Sequence, residues 1–216
     1  MTEGKLFTEQ EALLLEEIIL NRRDIRGNRF IDEPLTDACL DRLIDAAVHA
    51  PSVGFSQPWE FVVIKDRTIK QQIKESFETA HVKESEFFKD EKQHEYIRLK
   101  MEGILEAPVN IAVFYKPSLE PVLGQTSIKE AGIYSVVCAI QNMWLTARAL
   151  NIGMCWVSIL NEKIVKKILN APEENQLIAY LCIGHVDKFL TQPELETLKW
   201  EKRKGKGNVI FFNQYK

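Results

Sequence analysis

Four short, continuous apolar runs constrain this chain more than any other feature. They are Phe61-Val62-Val63-Ile64, Val109 to Tyr115, Met154 to Leu160 and Leu177 to Ile183. Runs of this kind read as strands covered on both faces. Helical patterns separate them. Thr8-x-x-Glu11 opens the first helix as a capping box, in which each side chain satisfies a backbone N–H of the other's residue. Leu14/Ile18 and Leu15/Ile19 carry that helix to Arg22. A second helix starts at Thr36 and sets Leu40, Leu43, Ile44 and Ala47 on one face. It ends near Ala50, because Pro51 disfavours helical geometry in the residue before it. Ile133 to Leu150 is the plainest of the later helices. The order α, α, β, α, α, β, α, β, α, β predicts a central sheet wrapped by helices. Val209-Ile210-Phe211-Phe212 reads as one more strand, at an edge or on a partner subunit.

Composition excludes several classes of function. The 216 residues are 45% hydrophobic and 27% charged, enough for one substantial core and too apolar for wholesale disorder. No repeat or low-complexity tract divides the chain, so residues 1–216 read as a single domain. Lys+Arg 28 against Asp+Glu 31 gives −3, which argues against nucleic acid as a partner while leaving room for a local anion site. The longest uncharged stretch, Ala131 to Ala147, contains Tyr134, Ser135, Gln141, Asn142 and Thr146, and so reads as a buried core helix rather than a membrane span. The acidic N-terminal stretch lacks a small-residue cleavage site, which makes a cytoplasmic location the expectation. Cys39, Cys138, Cys155 and Cys182 form no CxxC and sit among apolar neighbours, as small buried hydrophobes in a reducing cytosol would. GxGxxG after a strand, GxxxxGK[ST], HExxH and GxSxG are all missing, and His49, His81, His94 and His185 lack metal-ligand spacing. Neither a metal site nor a nucleophilic triad is expected.

Four stretches could carry chemistry. In Asn21-Arg22-Arg23-Asp24-Ile25-Arg26, three arginines close the first helix. Positive charge there caps a helix, but three guanidinium forks on one turn could also hold a phosphate or a carbonyl-rich ring. Asp24 among them should stay ionised. Ala50-Pro51-Ser52-Val53-Gly54-Phe55-Ser56-Gln57-Pro58-Trp59 is a tight loop before a buried strand, either a rigid turn or a surface presented to a ligand. Asn151 to Ile159 joins a helix to a strand through Gly153, a residue free to take positive φ, and finishes at Ser158. That serine faces a ligand crevice or caps the next helix, a task Asn161 could perform instead. Lys199-Trp200-Glu201-Lys202-Arg203-Lys204-Gly205-Lys206 is a solvated tail or a second clamp on phosphate. Between them, Ser76 to Gly103 is heavily charged and holds Phe77, Phe87, Phe88 and Tyr96. It reads as a solvated helical excursion or as a lid whose aromatics face a ligand.

In this order and spacing the four stretches resemble the nitroreductase superfamily of FMN proteins, from about Asn21 to the C-terminus. Within it, Arg22 to Arg26, Ala50 to Trp59, Tyr134 to Gln141, Trp156 to Ile159 and Leu181 to Val186 look like the branch that consumes its own flavin. The resemblance implies an α/β (α+β) fold with a central mixed sheet flanked by helices, and an obligate homodimer with two intersubunit FMN sites. It implies that bound reduced FMN and O2 are converted to 5,6-dimethylbenzimidazole, the lower ligand of vitamin B12, and erythrose 4-phosphate. It ties Asp24 and Ser158 to that fragmentation; ordinary nitroreductases have a small polar residue where Asp24 stands. The FMN-binding set it implies is Arg22, Arg23, Asp24, Ile25, Arg26, Pro51, Ser52, Ser56, Gln57, Val157, Ser158 and Arg203, with the Ser52 loop reaching in from the other subunit. A flavin reductase would supply reduced FMN, with NAD(P)H involved indirectly. The alternative on the same fold is an NAD(P)H-dependent nitroreductase or flavin reductase with an open cleft above the flavin.

Overall fold

The computed structural model of the chain describes residues 3–215. Its elements follow the predicted order. Helix α1 (Glu9–Asn21) starts at Thr8 with both halves of the capping box formed, and α2 (Asp37–Val48) starts at Thr36, whose hydroxyl accepts the Cys39 N–H. Strand β1 (Trp59–Ile64) is followed by α3 (Arg67–Ser85), α4 (Asp90–Arg98) and β2 (Val109–Tyr115). Then come α5 (Ala131–Ala149), β3 (Gly153–Val157), α6 (Glu162–Leu169), β4 (Gln176–Gly184) and the short α7 (Glu194–Thr197).

The strands form one sheet in the order β1-β2-β4-β3, antiparallel at every pairing. The only parallel contact among the described residues is a bridge from Asp24 to Met154, which lays the segment after α1 along the free edge of β3. Alternate residues of each strand feed two cores, which is why the strands read as unbroken apolar runs. Val109, Ile111 and Val113 face Leu43 and Ala47 of α2 and Val136, Ile140 and Met143 of α5. Ala112 and Phe114, with Cys155, Tyr180 and Cys182, face Ile73 and Phe77 of α3 and Val165 of α6. Helix α5 thus buries one face in the core, and no helix of the described residues is long and apolar enough to cross a membrane.

Some expectations need correction. Within one chain Val209 to Phe212 join no sheet edge and run exposed beyond a single 3-10 turn (Lys206–Asn208), which leaves pairing on a partner subunit as the expectation. Strand β3 stops at Val157 rather than Leu160. The left-handed residue before it is Asn151 (φ 56°), while Gly153 is required for space: a Cβ there would collide with Val186 and press on Ile25. Cys155 and Cys182 are buried, but Cys138 lies exposed on α5, on the same outward side as Tyr134 and Val137.

Candidate functional site

The arginine turn is held from three sides. The Ile25 N–H donates to the Met154 carbonyl (3.0 Å) and the Gly27 N–H to the Glu102 carbonyl (2.8 Å). Arg26 Nη1 donates to the Met101 carbonyl (3.0 Å) and lies 3.9 Å from Cys155 Sγ, while its Nη2 pairs with Asp24 Oδ2 at 2.7 Å. The other carboxylate oxygen of Asp24 accepts the backbone N–H of Trp156 (3.3 Å). Asp24 is therefore fixed between a guanidinium and the edge strand that leads to Ser158.

Each arginine has a separate task. The Arg22 guanidinium stacks over Trp144, 4.7 Å from the ring centre. Arg23 does what a helix cap does, donating to the carbonyls of Leu20 and Arg22, and it also reaches Thr191. Its Nε is buried with no partner. Arg22, Arg23, Asp24 and Arg26, with Pro193, Glu194 and Leu195, line a cleft of about 120 Å³.

The influences on the Asp24 carboxyl oppose one another. Burial pushes its carboxyl above the usual range; Arg26, the Trp156 N–H and Arg22 oppose that shift without reversing it, and Glu194 reinforces it. The desolvation of this partly buried carboxylate exceeds the attraction of the arginine turn. Arg26 is pushed down by burial but ends above its ordinary value, through Asp24 first and then Cys155 and Glu194. Arg23 is lowered by burial first and then by the like charges of Arg22 and Arg203. Arg203 itself is exposed, its backbone N–H donating to Glu196 Oε1 (3.4 Å), and it lines a second hollow that shares Pro193 and Leu195 with the cleft.

Ser158 is exposed at the end of β3 and leaves helix capping to Asn161, whose side chain accepts the Ile164 N–H (3.2 Å). Ile25 and Val157 are buried to 2% exposure each, and neither lines the cleft. The proline loop is elsewhere. Ser52 Oγ accepts the Gln57 N–H (3.1 Å), and the Val53 N–H donates to Ser135 of α5 (3.0 Å). Gly54, Phe55 and Gln57 all take left-handed φ, so the loop turns sharply and leaves Phe55 80% exposed. Pro51 is exposed, and Ser56 Oγ is buried without a partner beside a hollow of about 680 Å³ shared with Lys116 to Leu123. This loop leads into β1 at one sheet edge and the arginine turn flanks β3 at the other. Three strand spacings, about 14 Å, separate those edges. Within one chain the structure does not bring Ser52, Ser56 and Gln57 together with Arg22 to Arg26.

Sequence reasoning missed several members of the site: Trp144 beneath Arg22, the Trp156 N–H on Asp24, the Met101 carbonyl on Arg26, and the cleft wall Pro193-Glu194-Leu195. Two of these contacts are backbone groups, which carry no sequence signal. The residues present suit an anionic, flat, hydrogen-bonding ligand such as FMN: a cleft of arginines, an orphaned Arg23 Nε, and a second orphan at Ser56 on the opposite half.

The family model described as the Nitroreductase family matches residues 19–185. Among related proteins, one from Rhodospirillum rubrum named 5,6-dimethylbenzimidazole synthase is 38% identical over 206 residues, 94% of this chain and 97% of that protein. One of the same name from Rhodobacter capsulatus is 33% identical over 198 residues, 91% and 95% of the respective chains. The fold matches the crystal structure of iodotyrosine deiodinase bound to FMN and 3-iodo-L-tyrosine, with TM-score 0.74 and 22% identity over 93% of this chain and 100% of that one. It also matches a BluB-like flavoprotein from Clostridium difficile 630, with TM-score 0.69 and 24% identity over 93% and 99%.

Proposed function

The chain belongs to the nitroreductase family, and from that premise we propose that it is a 5,6-dimethylbenzimidazole synthase, converting reduced FMN and O2 to 5,6-dimethylbenzimidazole and erythrose 4-phosphate, with the pyrimidine part of the ring released as a further fragment. The two relatives of that name, at 38% and 33% identity over more than nine-tenths of the chain, support this reading over a nitroreductase. The single observation that carries the chemistry is Asp24. An acidic residue stands inside the arginine turn, raised by burial yet ion-paired with Arg26 at 2.7 Å, so its carboxyl is poised to exchange a proton nearer neutrality than a surface aspartate.

Bound reduced FMN supplies both the electrons that O2 accepts and the carbon of the product. The protein holds, orients and moves protons. Arg22, held over the Trp144 ring, and Arg23, whose Nε has no partner, offer the cleft's positive charge to a phosphate or to an electron-rich ring edge. Arg203 adds charge from the neighbouring hollow. Asp24 would take and return protons at the bound ligand, its carboxylate held between Arg26 and the Trp156 N–H of β3. The hydroxyl of Ser158, uncommitted to helix capping, hydrogen-bonds beside the reacting ring. Ser52, Ser56 and Gln57 reach the same ligand from a second copy of the chain. Their position at the opposite sheet edge, and the apolar side chains left exposed on α1 (Leu14, Leu15, Ile19) and α5 (Tyr134, Val137), support a homodimer. Reduced FMN arrives from a separate flavin reductase, which links the reaction to NAD(P)H only indirectly, and the Ser76–Gly103 segment serves as a lid that keeps water from the reacting flavin.

Purified protein incubated anaerobically with reduced FMN and then exposed to air should form dimethylbenzimidazole, detected by mass spectrometry. Oxidised FMN and peroxide alone, with rapid NADPH-driven turnover of a nitroaromatic, would instead make it a nitroreductase.

A further inference from the structure

The aromatic residues of α3 and α4 do not line the arginine cleft; they stack on one another. Phe77 stacks on His81 (5.3 Å between ring centres), His81 on Tyr96 (4.7 Å) and Tyr96 on Phe88 (4.8 Å). The ladder ends outside the two helices, where Phe88 meets the edge of Trp200 (5.3 Å) and Tyr96 lies 6.3 Å from it. Lys92 of α4 covers the same indole, its Nζ 4.3 Å from the ring. Phe87, by contrast, points away and is 84% exposed.

Trp200 belongs to the basic C-terminal segment and is tied to the cleft. Its N–H donates to the Leu195 carbonyl (2.9 Å), and Leu195 is a wall of the cleft of Arg22, Arg23 and Arg26. Three residues on, Arg203 anchors to Glu196 in the same short helix. One strap, Pro193 to Arg203, therefore touches the arginine cleft at one end and the α3–α4 ladder at the other.

We propose that Trp200 is a positioning residue that couples a phosphate-bearing ligand in the arginine cleft to the seating of α3 and α4. The proposal rests on the reading above that the cleft takes the FMN phosphate. A phosphate drawn between Arg23 and Arg203 fixes the strap, and the strap fixes Phe88 and Tyr96 through the indole face. Riboflavin, which has the same ring system without the phosphate, leaves the strap loose. Trp200 thereby makes the phosphate a condition for closing the site rather than only a source of affinity.

Limited trypsin digestion reads the seating of α3–α4 directly, because Lys83, Lys89, Lys92 and Arg98 lie on or between these helices. In the wild type, oxidised FMN should slow cleavage there by about tenfold, the scale of one aromatic anchor plus its covered area, and riboflavin should not. Trp200→Leu should still bind FMN, weakened by no more than about the same tenfold in quenching of flavin fluorescence, since the arginines remain, yet lose the protection. Trp200→Phe should retain most of it. Equal protection of Trp200→Leu and wild type by FMN, or protection of wild type by riboflavin as strong as by FMN, overturns the coupling. Failure of the functional reading shows separately, as wild-type enzyme that makes no dimethylbenzimidazole from reduced FMN.

Discussion

Replacing Asp24 by Asn should leave the protein as stable as before, or more so, while abolishing product. The pair with Arg26 looks like a structural support: 2.7 Å, with the arginine side chain 11% and the aspartate side chain 31% exposed. Yet burial raises the Asp24 carboxyl despite Arg26, so the ionised form is less favourable in the folded chain than in the unfolded one. Above the raised value this costs stability; below the unfolded value of 3.8 the carboxyl is neutral in both states and the cost is gone. Stability attributable to Asp24 thus falls as pH rises through that window. Asparagine imitates the neutral acid, keeps the acceptor for the Trp156 N–H, and should shift stability by no more than about 1 kcal/mol. Removing the other partner is different. Arg26→Gln strands a carboxylate that is already disfavoured, and breaking a buried pair costs 3–5 kcal/mol, reduced here to about 2 kcal/mol by the partial exposure of Asp24. For a chain of this length that lowers Tm by about 4–8 °C. Thermal unfolding by circular dichroism at fixed protein concentration, from pH 4 to 8, measures both. The reasoning fails if Asp24→Asn loses as much Tm as Arg26→Gln, or if its difference from wild type does not change with pH.

Glu102 is the opposite case: burial opposes its ionisation, but Lys100, the Ile104 N–H and Lys74 (2.9 Å) hold the carboxyl below its ordinary 4.5. Its contribution is present above pH 4.5 and disappears as pH falls through the lowered value, so Glu102→Gln should cost about 2–3 kcal/mol at pH 7 and progressively less in acid, as denaturant titrations would register. Gly153→Ala forces a methyl into Val186 and Ile25, an overpacking of about 1–3 kcal/mol. It should also weaken FMN binding, since Ile25 carries the arginine turn; unchanged binding in a fluorescence titration would separate the turn from the ligand site.

The elements that sequence revealed were those whose cause is local. Thr8 and Thr36 announce their helices because a cap acts within four residues, and β2 and β4 announce themselves because both faces of the sheet are covered. What depended on distant partners was misread. Val209 to Phe212 have strand-like composition but pair with no strand of their own chain, and no local pattern reveals which neighbour a strand has. The arginine turn was recognisable as a site, but the sign of the Asp24 shift depends on how deeply Pro193, Glu194 and Leu195 enclose it, some 170 residues away. Proximity in sequence groups Phe87 with the aromatic residues of α3 and α4 and leaves out Trp200. Helical spacing pairs Phe77 with His81 but cannot show that the ladder continues into the C-terminal segment.

The separation of the proline loop and the arginine turn on opposite edges of the sheet has a genetic consequence. On the proposed two-copy site, each catalytic centre draws its arginines from one gene product and its serine loop from the other. An allele damaged at Asp24 and an allele damaged at Gln57, each null alone, would assemble into mixed dimers with one centre carrying both lesions and one carrying neither. Two dead alleles would then restore a fraction of the activity between them, whereas two alleles damaged on the same edge never would.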